Sequence, residues 1–364
     1  MFARRKLLVG LLFSLVACKG NQAAPTPVAS ESAPAVKSGE AISLTGAGAT
    51  FPYPLYSKWI SEYNKLNPNV KINYQSIGSG GGIRQITANT VDFGATDAPM
   101  KEDEAKQAPS KLFHIPATIG AVVIAYNLPE VTGTLRLTPE VLVGIYAGKI
   151  KVWNDPKIKA DNAELKLPAK EISVVYRTDG SGTTAVFTDY LGKISPEWTE
   201  KVGVGKVVKW PTGLGAKGNE GVTGQVKTTP YTIGYIERAY ASQNKLPMAE
   251  LRNKAGKFVA PTIEAMSAAA DAVEVPEELF VSLSNADSEA AYPITSYSYL
   301  LVYEDAKDAV KGEALAKYVW WGLHDGQKFA KDLDYAPIPA KVVTKVEGRL
   351  KELRSGDKKL LSGA

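Results

Sequence analysis

The sequence predicts an α/β protein of two lobes. Apolar extended runs alternate with stretches of helical periodicity along its length, which argues for layers built on mainly parallel sheets. The folded part, about 320 of the 364 residues, also exceeds what one small core encloses and suits two lobes of ordinary domain size. A third observation places the start of folding near Ala41. Residues 19–40 are rich in Ala, Pro, Ser, Thr and Gln and lack a hydrophobic repeat, as a flexible tether does.

Ahead of the tether, residues 1–17 have a basic start (Arg4, Arg5, Lys6) and an apolar stretch, followed by Cys18. This is the pattern of a secretory signal, since the apolar stretch is about half of the ~20 residues that a spanning helix needs. No later segment supplies a longer uncharged apolar run, so the mature chain is not expected to cross a membrane. Leu15-Val16-Ala17-Cys18 resembles the lipobox of bacterial lipoproteins, in which the cysteine becomes the lipidated first residue. Cys18 is also the only cysteine, which excludes disulfides within the chain. Without the three basic residues of the signal, 40 basic residues face 38 acidic ones, a net charge of +2 that leaves no nucleic-acid footprint. The short basic tail at 351–359 reads as a solvated helix end.

Within the folded part, GAGATF (residues 46–51) turns into a helix on which Leu55, Trp59, Tyr63 and Leu66 share one face. An extended run at 70–75 leads through SIGSGGG (residues 76–82) to a helix at 83–88. In DFGATDAPM, Thr96 or Asp97 can cap a helix starting at Ala98, with Pro99 in its first turn. Further strands are expected at 121–127 and 172–176, and further helices at 139–147, 183–191, 263–272 and 315–323. The remainder of 241–282 is too generic in composition to place.

The segment YRTDGSGTT (residues 176–184) gathers one guanidinium, one carboxylate and several hydroxyls at a strand-to-helix turn. Ser181, Gly182 and Thr183 head the helix, where free N–H groups and the positive dipole end favour an oxyanion. Arg177 can hold two oxygens of a tetrahedral anion, and Asp179 can steady the guanidinium. A capped helix after an ordinary turn explains the same residues. The glycines around Ser79 permit a second anion cradle or a flexible turn. Thr50 and Phe51 follow glycines that allow close backbone approach, although a tight turn accounts for them as well. Asp97 near an anion makes sense only for a ligand with a proton to donate, because an ionised carboxylate can only accept.

GLGAKG (residues 213–218) matches the dinucleotide fingerprint literally, with Glu237 near the ribose-contact spacing, but Pro211, Gly221 and Gly224 spoil the strand-turn-helix frame. Ser181 lacks the GxSxG frame, and His114 and His324 have no recognisable partners, so both read as structural. No HExxH, cysteine pair or calcium loop supports a metal site, and no cofactor is implied.

LTGAGATFPYPLYSKW, YQSIGSGGGIRQITANTVDFGATDAPM and YRTDGSGTTAVFTDYL together resemble the phosphate-binding protein (PstS) family of the bacterial phosphate-specific ABC importer. KWPTGLGAKGNEGV, TIGYIERAYA, YPITSYSYLLVY and LDYAPIP extend the resemblance, in order, from about Leu44 to beyond Val343. It implies a two-lobed periplasmic-binding-protein fold, type II-like, with the ligand cleft between lobes joined by hinge strands near 122–126 and 296–302. On this reading residues 1–17 are signal peptide and 18–42 carry the lipidated Cys18 and tether. Lobe 1 is 43–121 plus 300–364, and lobe 2 is 122–299.

The resemblance further implies that Thr50 and Phe51 bind phosphate through hydroxyl and N–H groups, and that Ser79 adds its own. Asp97 would accept the phosphate proton. Arg177, steadied by Asp179, would make the charged contact, with Ser181, Gly182 and Thr183 donating from the helix start. At an ordinary carboxylate pKa of about 3.9, Asp97 is ionised at neutral pH and repels sulfate, which carries no proton there. The expected partners are inorganic phosphate, the transmembrane subunits of an ABC permease with its cytoplasmic ATPases, and the membrane through the lipid on Cys18. The expected protein is a monomer in the periplasm or at the cell surface and is not an enzyme. Gly80 and Tyr176 depart from the serine and the basic residue common in the family at those places, without removing a proposed ligand. The rival readings are an extracytoplasmic phosphatase, which would need an activated nucleophile or metal cluster by the cradle, and a phosphate-responsive surface sensor or adhesin. A receptor for another protonated oxyanion, such as arsenate, would pass the same Asp97 filter.

Overall fold

The first described strand, β1 (Ile42–Gly48), turns at Thr50 into α1 (Tyr53–Leu66), in a computed structural model that describes residues 41–361. The signal segment, Cys18 and the tether lie outside the described residues. Leu55, Trp59 and Tyr63 bury the expected face of α1, whereas Leu66, the last residue of the helix, is 65% exposed. The chain continues through β2 (Val70–Ser76), α2 (Ser79–Thr87), β3 (Phe93–Thr96) and the short α3 (Glu102–Ala105). No helix starts at Ala98. Thr96 instead closes a local turn, its Oγ1 accepting from Ala98 N at 3.3 Å, and α3 begins after Lys101.

β4 (Leu112–Tyr126) is far longer than the strand expected at 121–127. Pro116 cannot donate to a ladder, and the register to the neighbouring strand shifts beside it, which lets the strand continue. Next come β5 (Arg136–Leu137), α4 (Pro139–Tyr146), α5 (Pro156–Lys159), β6 (Ser173–Arg177) and α6 (Gly182–Ile194). They lead to α7 (Pro196–Lys201), β7 (Leu214–Ala216), α8 (Gly218–Thr228), β8 (Thr232–Glu237) and α9 (Arg238–Gln243). Caps are local in sequence: Thr138, Ser181 and Ser195 each accept an N–H of the helix they precede. The generic stretch after α9 holds β9 (Glu250–Arg252), β10 (Phe258–Val259) and α10 (Ile263–Asp271), with β9, β10 and β5 forming a small separate sheet.

The chain then returns through β11 (Thr295–Tyr303), α11 (Ala309–Leu323) and α12 (Ala340–Leu350). The basic tail is not a helix end. After α12 it forms a two-stranded hairpin of β12 (Arg354–Ser355) and β13 (Lys358–Lys359), turned at Gly356, whose φ of 57° suits glycine.

The main sheet has the strand order β2-β1-β3-β11-β4-β8-β6-β7. Residues 112–121 of β4 pair with β11, while Val122–Tyr126 pair with β8, so one strand serves both halves of the sheet. β1, β2 and β3 are parallel on one side, and β6, β7 and β8 are parallel on the other. The architecture is therefore two α/β lobes joined through β4 and its neighbours. The loops after β1, β2, β3 and β6 all leave carboxyl ends of parallel strands, the edge at which open α/β sheets bind ligands. Among the described residues no helix is long and apolar enough to cross a membrane.

Candidate functional site

Four loops converge between the halves of the sheet. The loop after β1 brings Thr50 and Phe51, the start of α2 brings Ser79, the loop after β3 brings Asp97, and the turn from β6 into α6 brings Arg177 to Thr183. Thr50, Phe51, Ser79, Asp97, Arg177, Ser181 and Thr183 are all at most 4% exposed. The two sides touch here: Gly80 N donates to Gly180 O at 2.8 Å. At the rim, Lys206 and Glu104 form an ion pair of 2.8 Å.

Arg177 is fixed from two directions. Its backbone N–H donates to Tyr235 Oη at 3.0 Å, and its Nε and Nη2 donate to the two oxygens of Asp179 at 2.7 and 2.5 Å. Asp179 also accepts from Gly218 N at 3.0 Å. Burial alone would raise the Asp179 carboxyl, but the hydrogen bonds and charge of Arg177, with the Gly218 N–H, hold it below its ordinary value. One more Arg177 hydrogen goes from Nη1 to Thr183 Oγ1 at 3.3 Å. A guanidinium has five N–H donors, so two remain for an anion.

Ser181 caps α6, its Oγ accepting from Thr184 N at 3.0 Å. Its backbone N–H is taken by Lys206 O at 2.9 Å, leaving the hydroxyl proton as its donor to a ligand. Phe51 fits because β4 is cut away beneath it: a Cβ on Gly120 would lie 2.5 Å from the Phe51 ring. Tyr335 Oη donates to Phe51 O at 2.7 Å, which fixes the peptide plane. Among the described residues the N–H groups of Thr50 and Phe51 donate to no protein acceptor.

Asp97 faces these donors as an acceptor. Ser298 Oγ donates to its Oδ1 at 2.7 Å and Ser79 Oγ to its Oδ2 at 3.3 Å, while Ser296 Oγ bonds its carbonyl at 3.1 Å. The carboxyl does not keep its ordinary pKa, contrary to the expectation from sequence. Burial pushes it up to about 7, against the opposing pulls of the Ser298 hydrogen bond, the Arg177 charge and the Ser79 hydroxyl.

The anion candidates from sequence, Thr50, Phe51, Ser79, Asp97, Arg177, Asp179, Ser181, Gly182 and Thr183, fall in this one place. Sequence reasoning missed Ser298, whose signal is a run of hydroxyls alternating along an otherwise apolar strand, TSYSY. It also missed Asn219, at the start of α8, which donates to Thr50 Oγ1 at 2.7 Å and Thr183 Oγ1 at 3.2 Å. The GLGAKG segment is thus no dinucleotide loop: β7 lies inside the motif and α8 starts at its last glycine. His114 accepts from Met100 N at 3.1 Å and is pushed down to about 4 by burial, and His324 bonds Trp320 O. His114 thus braces the loop after β3 three residues beyond Asp97, and His324 also bonds Glu347 Oε1 at 2.8 Å. No group of side chains suited to a metal ion occurs among the described residues.

A buried cleft of directed donors, one fixed guanidinium and one carboxylate, set between two α/β lobes, defines the class: a two-lobed binding protein for a small oxyanion. The profile of the PBP superfamily domain matches residues 28–321. Over 326 residues the chain is 49% identical to the phosphate-binding protein PstS of Pasteurella multocida, covering 88% of this chain and 94% of that one. It is 44% identical over 310 residues to the protein of that name from Methanocaldococcus jannaschii, covering 79% and 80%. The chain belongs to the PstS family of phosphate-binding proteins, which are substrate-binding proteins and not enzymes. Among solved structures, a high-affinity periplasmic phosphate-binding protein, PfluDING, bound with phosphate, superimposes with a TM-score of 0.68 at 20% identity, over 84% of this chain and 93% of that one. An ABC-type phosphate transport receptor from Vibrio cholerae gives 0.54 at 20% identity, over 81% and 100%. At these identities the structural likeness bears on the fold, which is that of the two-lobed periplasmic-binding proteins.

Proposed function

We propose that the protein captures inorganic phosphate outside the cytoplasm and delivers it, lobes closed, to an ABC permease driven by cytoplasmic ATPases. The observation that carries this reading is the pairing of Arg177 and the α6 donors on one side of the cleft with Asp97 on the other. Thr50, Phe51, Ser79, Ser181, Gly182 and Thr183 would donate to the phosphate oxygens, Arg177 would carry the charge, and Asp97 would share the single proton. The lobes would be 43–121 plus 300–364, and 122–299. The change of partner along β4 between Ala121 and Val122 supports the first boundary, whereas all of β11 pairs with β3 and with residues 112–121 of β4, which favours a second boundary nearer its start at Thr295. The chain would act as a monomer, tethered through residues 19–42 to a lipid on Cys18 and held in the periplasm or at the cell surface.

Isothermal calorimetry on the soluble part, residues 41–364, tests the reading. Phosphate is expected to bind with sulfate at least about tenfold weaker at pH 8, because one unmatched charged contact costs on the order of 1.5 to 3 kcal/mol. Absence of phosphate binding, or equal binding of the two anions, would sink it.

A further inference from the structure

Asn219 holds none of the ligand roles above, yet it is fully buried and bonded to both sides of the cleft. Its Nδ2 uses both hydrogens, one on Thr50 Oγ1 at 2.7 Å and one on Thr183 Oγ1 at 3.2 Å. Its Oδ1 accepts from Glu237 N at 2.9 Å. That last bond fixes the orientation of the amide, because a backbone N–H can only donate and must face the oxygen. The backbone N–H of Asn219 also reaches Thr50 Oγ1, at 3.3 Å.

A threonine hydroxyl has two lone pairs and one proton. At Thr50 both lone pairs are occupied, by the side-chain and backbone N–H groups of Asn219. At Thr183 both are occupied as well, by Asn219 Nδ2 and Arg177 Nη1. Each hydroxyl is left with only its proton to offer, and among the described residues neither gives it to a protein acceptor. We propose that Asn219 is a positioning residue for the anion, which holds two threonine hydroxyls as obligate donors and bonds to Thr50 only when the lobes are closed. Thr50 follows β1 and Asn219 follows β7, on opposite halves of the main sheet, so opening must break their bond. The proposal rests on the phosphate reading and the lobe assignment above.

Stopped-flow binding of inorganic phosphate to wild type, Asn219→Ala, Asn219→Asp, Thr50→Val and the Asn219→Ala/Thr50→Val pair tests it, with thermal melting of each as a check on folding. Phosphate is expected to leave Asn219→Ala about ten- to a hundredfold faster, with association changed by less than about threefold, because the bond forms after encounter. Thr50→Val is expected to weaken binding much less in the Asn219→Ala background than alone, a non-additivity that a purely structural role would not produce. Asn219→Asp keeps the shape and the Glu237 N–H bond but reverses the polarity toward both hydroxyls. It is expected to lose at least as much affinity as the alanine variant, and it keeps the test decisive if that variant fails to fold. Wild-type release rates in the folded variants, or simple addition of the two losses in the double variant, overturn the proposal. A wild type that binds no phosphate overturns the underlying reading, and the role of Asn219 falls with it.

Discussion

On the proposed reading, Asp97 makes the cleft selective at a cost in stability. With its carboxyl raised to about 7 by burial, two forms of the cleft coexist near neutral pH. The ionised form accepts a proton-bearing oxygen and rejects sulfate, whereas the neutral form donates a proton that sulfate can accept. Sulfate affinity is therefore expected to rise about tenfold from pH 8 to pH 6, the change in the neutral fraction for a group near 7. Titrations at the two pH values measure it, and Asp97→Asn, always able to donate, is expected to bind sulfate well at both. If the asparagine variant discriminates as wild type does, the filter argument is wrong. The same group affects folding. Its native pKa lies above the unfolded value near 3.8, so the native state holds the proton longer, and its favourable contribution, complete below that value, is lost as pH rises through about 7. The loss by pH 8 is on the order of 4 kcal/mol. Asp97→Asn is expected to melt higher than the ligand-free wild type at pH 8, and the difference is expected to shrink toward pH 5.

Helix α6 meets the opposite lobe where only glycine fits. A Cβ on Gly182 would lie 2.3 Å from both Asp97 Oδ2 and Ser79 Oγ. Gly180 and Gly80 also pack tightly, since a Cβ on Gly180 would lie 3.2 Å from the Gly80 Cα. On the proposed reading the helix start would bring its N–H groups against the anion and let the lobes close on it, which a side chain at 182 would hinder. Gly182→Ala is expected to weaken phosphate binding about ten- to a hundredfold, the range for one overpacked contact, while the melting of the ligand-free protein hardly changes. Calorimetry and melting read the two effects separately. Undiminished affinity would show that closure is looser than the hydrogen bond from Gly80 N to Gly180 O indicates.

Closure also sets the behaviour of the complete receptor. One strand, β4, belongs to both halves of the sheet, so on the proposed lobe assignment the lobes would rotate about a few residues near Ala121 and Val122 without breaking either half. Small-angle scattering of residues 41–364 is expected to show a smaller radius of gyration with phosphate than without, and an unchanged radius would exclude closure. The proposed lipid anchor is a separate matter. Cys18→Ala is expected to move the protein from the membrane to the soluble fraction with its phosphate affinity unchanged, since the proposed ligand groups all lie within residues 50–183. Fractionation followed by calorimetry checks both halves of that expectation.

Much of this protein was legible in its order of residues, because the relevant physics is local. The alternation of strands and helices, the stripe of Leu55, Trp59 and Tyr63, the cap at Ser181 and the Arg177–Asp179 pair two residues apart all depend on near neighbours. Motif resemblance then united loops that periodicity alone could not. Other features follow from packing between distant segments. β4 runs through Pro116 only because β11 shifts register beside it. The shift at Asp97 comes from burial, and Ser298, which bonds its carboxyl, is 201 residues away. Asn219 reaches Thr50 across 169 residues, from a segment that looked like a failed dinucleotide motif. Sequence thus determined which groups could meet an oxyanion, since chain neighbours preset their geometry. Only the tertiary structure decided which protons those groups hold and which way they point, because desolvation and hydrogen-bond direction belong to surroundings assembled from the whole fold.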